Sequence, residues 1–117
     1  MKQTRQLMNP ASGSVVLRNL KTADSFLERF RGLMGKTLSP GEGLWITPCN
    51  SIHCFFMKIP IDVLFLNKNM EIIHRIDAMK PWTISPIVKG AKSVIEASAG
   101  TFEELTVGEK VQIVKQE

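Results

Sequence analysis

Two hydrophobic periodicities divide this chain. Over residues 22–34, Phe26, Leu27, Phe30, Leu33 and Met34 recur at helical spacing while Glu28, Arg29 and Arg31 fall off the stripe. Thr22 can cap that helix and Gly35 can end it. Ahead of it, residues 14–20 are rich in branched side chains and read as a strand. From Leu44 onward the pattern is strand-like. Residues 44–46 form a short strand that stops before Pro48, and 51–57 and 61–66 are nearly continuous apolar runs divided by Lys58-Ile59-Pro60. Strands apolar on both faces are buried on both faces, so these two runs are expected at the centre of the fold. Asn67-Lys68-Asn69 predicts a hairpin turn with 70–76 as the returning strand. Residues 93–97 and 110–114 are two further strands, with a short helical turn around Phe102-Glu103-Glu104-Leu105 between them. The sum is an α+β fold: a small, mostly antiparallel β-barrel of six or seven strands, closed or half-closed, with one helix packed across it. One domain spanning 1–117 is expected, with 1–13 as a flexible N-terminal tail.

Composition narrows the class without changing the fold. At 117 residues, 44% hydrophobic and 22% charged, the chain is ordinary globular material, which excludes disorder, collagen and coiled coil. No run approaches the ~18 apolar residues of a membrane span. The basic start has no apolar stretch behind it, so no signal peptide is read and a cytoplasmic location is expected. The net charge of +4 is an N-terminal feature, since residues 1–36 carry seven bases and two acids. Aromatic residues do not interleave with those bases as a stacking surface requires, so nucleic acid is not the expected partner. Two cysteines make no secreted disulfide framework, and an extended 49–54 segment would hold Cys49 and Cys54 beyond the ~7 Å reach of a bridge.

Candidate chemistry lies where polar residues interrupt apolar runs. On a 51–57 strand His53 shares a face with Ser51, Phe55 and Met57, and it reads either as a satisfied core histidine or as a site residue. Its neighbour Cys54 points to the opposite face, where a small buried thiol is the plain reading. The same alternation argues against a zinc site built from Cys49, His53, Cys54 and His74, and no other cofactor motif is present. Asp62 stands between Ile61 and Val63 and needs partners if buried: backbone N–H groups after the Pro60 turn, His53 across the connection, or Arg31 at the helix end. Glu96, between Ile95 and Ala97, is a second acid in an apolar strand. Trp82 lies in a proline-rich loop, residues 79–90, and reads either as a plug over the barrel end or as a binding surface.

Three stretches carry a family resemblance: Arg31-Gly32-Leu33-Met34-Gly35, Ser51-Ile52-His53-Cys54-Phe55-Phe56-Met57 and Pro60-Ile61-Asp62-Val63-Leu64-Phe65-Leu66. Pro81-Trp82, Lys89-Gly90-Ala91 and Val94-Ile95-Glu96-Ala97 follow in the family order. The chain resembles the domain of unknown function 192 family, small bacterial and archaeal proteins of barrel-like α+β fold, from about residue 15 to residue 114. The resemblance implies a fold and a motif set, with no agreed reaction. It departs from the family pattern at Cys54, where Thr is usual, and in lacking the export signal that many members carry. More loosely, Leu105 to Ile113 resembles the Gly-acid turn of cradle-loop barrels, with Gly108 permitting the turn and Glu109 accepting nearby N–H groups.

The leading functional expectation is a non-catalytic module binding a small ligand or a protein partner through His53, Asp62, Arg31, Glu96 and the Trp82 loop. Its rival is an enzyme using His53 as general base oriented by Asp62, against which stands the lack of a nucleophile, metal set or cofactor motif. A third reading makes the cluster a structural network that holds the barrel shut.

Overall fold

The computed structural model describes residues 4–25, 28–29, 38–54 and 57–115. Seven strands form one sheet: β1 (Arg5–Asn9), β2 (Ser14–Ala23), β3 (Glu42–Ile46), β4 (Ile61–Leu66), β5 (Ile72–Met79), β6 (Ser93–Ser98) and β7 (Gln112–Lys115), in the spatial order β5-β4-β6-β3-β2-β1-β7. All neighbours are antiparallel except β2 and β3. Six of these strands are the predicted ones, extended or trimmed by a few residues at their ends. β1 is not. It arises within the stretch expected to be a flexible tail, and it pairs with both β2 and β7. Leu7 is fully buried between Leu17 and Ile113, and that burial holds the strand.

The expected barrel is corrected to an open mixed sheet with β5 and β7 at its edges. Among the described residues these edges meet at one bridge, Glu71 to Lys110. Around it Ile72 N–H donates to Glu109 O (2.9 Å), Gly108 N–H to Ile72 O (2.7 Å) and Val111 N–H to Met70 O (3.0 Å). A longer ladder does not form because β5 leaves the bridge from Ile72 in one direction while β7 begins only at Gln112, on the other side of it. The contact still curls the sheet. Leu7 and Ile113 from one edge share an apolar cluster with Leu66 and Ile72 from the other, so that face is enclosed by the sheet itself.

The opposite face is covered by connections. Ile52, Cys54, Met57 and Ala91 pack there on Ile46, Val63, Phe65 and Val94. Of residues 51–57, expected as a central strand, the described ones lie outside the sheet. Their described part, 51–54, instead pairs with 82–85 through the His53 to Ile84 bridge and the bonds Cys54 N–H to Thr83 O, Trp82 N–H to Cys54 O and Ser85 N–H to Ile52 O. The run is apolar because it roofs a core, and its backbone finds partners in the neighbouring loop.

Among the described residues helical geometry is confined to Glu28 and Arg29, so a helix packed across the sheet is not part of the described fold. The predicted stripe of Phe26, Leu27, Phe30, Leu33 and Met34, with Arg31, lies outside those residues. The cap is Ser25, not Thr22. Ser25 Oγ accepts from Glu28 N–H and Glu28 Oε1 accepts from Ser25 N–H, each at 3.2 Å, a reciprocal capping box. Thr22 remains in β2 opposite Trp45, where its hydroxyl accepts from the Arg5 guanidinium at 2.9 Å. The helical turn expected around residues 102–105 is a tight turn that buries Phe102 and Leu105.

Asp62 fixes the end of the sheet. It is 2% exposed, its Oδ1 accepts from Ala78 N–H and its Oδ2 from Gly100 N–H, both at 2.8 Å. Ala78 and Gly100 both have positive φ, 49° and 91°. For Ala78 that geometry is strained and needs an outside hold, which the carboxylate supplies beside the register shift in the β4–β5 pairing. Asp62→Ala leaves two amides without their acceptor and is expected to cost about 2–4 kcal/mol in urea unfolding. A loss below about 0.5 kcal/mol would show that the two turns hold themselves.

Candidate functional site

Side chains alternate along β4 and β6, and their register sorts the two buried acids. Asp62 is opposite Ala97, on the face enclosed by the curl, whereas Glu96 is opposite Val63, on the face roofed by residues 49–54 and Met57. Asp62 and Glu96 therefore point to opposite sides of one sheet. The expected His53–Asp62 pair does not form: the hydrogen-bond partners of Asp62 are the Ala78 and Gly100 amides, and His53 lies across the sheet from it. Arg31, the third expected member, lies outside the described residues.

His53 and Glu96 do come together. They line one cavity of about 40 Å³ with Arg29, Ile46, Cys49, Ser51 and Ile52. That volume admits a few water molecules or one polar group, not a whole substrate. It neighbours a shallower hollow of about 280 Å³ that shares Arg29 and Cys49 and adds Asn50 and Lys92. Arg29 is held at the rim by donating to Pro48 O at 3.1 Å. Cys49 donates its thiol hydrogen to Ser51 O at 3.1 Å. Sequence reasoning missed both: Arg29 read only as an off-stripe solvent residue, and Cys49 sits between Pro48 and Asn50 with no periodicity to place it.

Glu96 is the unusual member. It is 2% exposed, and no hydrogen bond or ion pair holds its carboxyl among the described residues. Burial pushes it from an ordinary 4.5 up to about 8. At neutral pH it is thus mainly a neutral acid that can donate one hydrogen bond. Burial likewise pushes the Cys54 thiol up to about 11, with Glu96 adding to the effect. The Cys49 thiol is raised chiefly by burial, against the lowering effect of its bond to Ser51. Both cysteines are free thiols, and neither environment favours a thiolate nucleophile.

Trp82 is 59% exposed, with φ of 67°, so it does not plug the sheet end. Together with Ile84 (64%) and Ile87 (76%) it presents apolar surface to solvent from a segment whose backbone is tied to residues 50–54. The ridge adjoins the cavity through the bridge between Ile84 and His53.

A buried acid with a raised pKa makes stability depend on pH. Between about pH 4.5 and 8 the unfolded chain has released the Glu96 proton while the folded chain keeps it, so stability falls as pH rises through that window and levels above it. The expected loss is about 3–5 kcal/mol. Glu96→Gln should abolish that part of the slope and be the more stable chain at the alkaline end, as read from thermal midpoints across the window. Parallel curves for parent and variant would show that Glu96 ionises normally.

The chain's relatives are consistent with this fold. The family model DUF192, described as Uncharacterized ACR, matches residues 8–113. A UPF0127 protein of Thermococcus sibiricus is 35% identical over 115 residues, covering 90% of this chain and 72% of that protein. A UPF0127 protein of Pyrococcus furiosus is 33% identical over 107 residues, covering 86% and 90% respectively. Among solved structures, a protein of unknown function from Novosphingobium aromaticivorans superposes with a TM-score of 0.78 at 22% identity, over 93% of this chain and 83% of its own. At that identity the likeness concerns the fold alone.

Proposed function

The chain belongs to the DUF192 family of uncharacterised proteins, and from that premise we propose that it is a non-catalytic binding module for a peptide-like partner segment. A carbonyl of the partner accepts the hydrogen of Glu96 in the small cavity, and an adjoining apolar side chain rests on Trp82 and Ile84. The observation that carries this reading is the Glu96 carboxyl, 2% exposed, in the lining of a small cavity. A carboxyl kept neutral by burial at a cavity wall can donate to a group brought from outside the resting fold. A neutral acid suits a carbonyl, because it offers a donor without adding charge to a rim that already carries Arg29. The Trp82 ridge supports the same reading, since large apolar side chains held out into water on a pinned backbone mark contact surfaces. No helix among the described residues is long and apolar enough to cross a membrane. The separation of His53 from Asp62 supports a binding role over the enzyme reading.

N-acetyl-leucinamide carries both features, a carbonyl and an aliphatic side chain. Titrated into ¹⁵N-labelled protein, it should give saturable shifts at the amides of Ser51, His53 and Ser85. Glu96→Leu and Trp82→Ala should each weaken binding by about five-fold or more, while Trp82→Ala leaves the thermal midpoint near that of the parent. Shifts that do not saturate, or an unchanged affinity in both variants, would refute the proposal.

A further inference from the structure

A second hollow, of about 480 Å³, opens on the face enclosed by the curled sheet, on the far side from Glu96. Met70, Val111 and Ile113 line it with apolar side chains, and Trp45 and Arg5 line it as well. The indole Nε1–H of Trp45 is buried and meets no hydrogen-bond partner among the described residues. Indole nitrogen is only a donor, so what it lacks is an acceptor. Trp45 is placed by its register: it stands opposite Thr22 on one side and Ile95 on the other, on the enclosed face. Arg5 is placed beside it, because its guanidinium donates to the hydroxyl of that same Thr22 at 2.9 Å. One bond leaves the guanidinium with further N–H donors, and guanidinium also accepts nothing. Among the described residues no acid lines the hollow, and its remaining polar residues there are Asn69 and Gln112.

We propose that this hollow is a binding site for small amphipathic carboxylates. The carboxylate accepts from Trp45 Nε1–H and from Arg5, and a short aliphatic chain lies against Met70, Val111 and Ile113. Two neighbouring donor-only residues, one of them cationic, in the lining of an apolar hollow call for an anionic acceptor carried on an apolar body. The hollow's volume falls within the range of small-molecule sites. It lies where the sheet edges meet at a single bridge, so a ligand there fills space that a fully closed ladder would occupy.

Hexanoate is the probe and hexan-1-ol its uncharged control. In ¹⁵N-labelled protein, with Trp82→Phe used to assign the two indole resonances, hexanoate should shift the Trp45 Nε1–H signal downfield and saturate. Hexan-1-ol should bind about ten-fold more weakly or worse, and Arg5→Gln should weaken hexanoate by a similar factor. A Trp45 resonance that does not respond to hexanoate would overturn the site. Equal binding of hexanoate and hexan-1-ol by the parent protein would overturn recognition of the carboxylate, whatever Arg5→Gln does to folding. Unchanged hexanoate affinity in a folded Arg5→Gln protein would do the same.

Discussion

β4 is buried at every position and β6 at all but its last, so a single sheet has two faces to shield from water. Every larger feature of the fold answers that requirement. One face is shielded by the sheet itself, which curls until β5 and β7 touch at the Glu71 to Lys110 bridge. The other is shielded by connections, chiefly residues 49–54, Met57 and residues 88–91. Those connections carry unpaired backbone and must find partners off the sheet, which is why 51–54 and 82–85 bond to each other and bring His53 beside Ile84.

Each face also holds one acid at these strands, and the two are treated in opposite ways. Asp62 is fully engaged by two amides whose residues have positive φ, so its charge is matched and its task is to hold turns. Glu96 sits as deep with no such partner among the described residues, facing a cavity rimmed by Arg29 and Cys49. An acid that destabilises the fold above pH 4.5 is poorly explained by stability, and folds break local rules of this kind at functional positions.

Much of the sheet was legible because its strands are apolar runs bounded by turn residues. The Asn67 turn was readable from composition, and its side chain does accept from Asn69 and Glu71 N–H, each at 2.9 Å. The Gly108–Glu109 turn, expected from the looser resemblance, is present, with φ of 101° at the glycine and Glu109 Oε1 accepting from Thr106 N–H at 2.7 Å. β1 was hidden because Leu7 is its one fully buried large apolar residue. Residues 51–57 misled because an apolar run looks the same in a central strand and in a roof over a core. The site was half legible. Alternation within 61–66 and 93–98 was readable, but which face each strand shares with the other depends on a long-range register that sequence does not carry, so Asp62 and Glu96 were grouped when they are opposed.

The decisive quantity is the protonation state of Glu96 in the folded protein. With ¹³C-labelled glutamate and Glu96→Gln to assign the signal, its side-chain carboxyl resonance should report a neutral acid at pH 6 and titrate with a midpoint near 8. A resonance already that of a carboxylate at pH 6, titrating in the ordinary glutamate range, would contradict the placing of Glu96 as a buried, unpartnered donor.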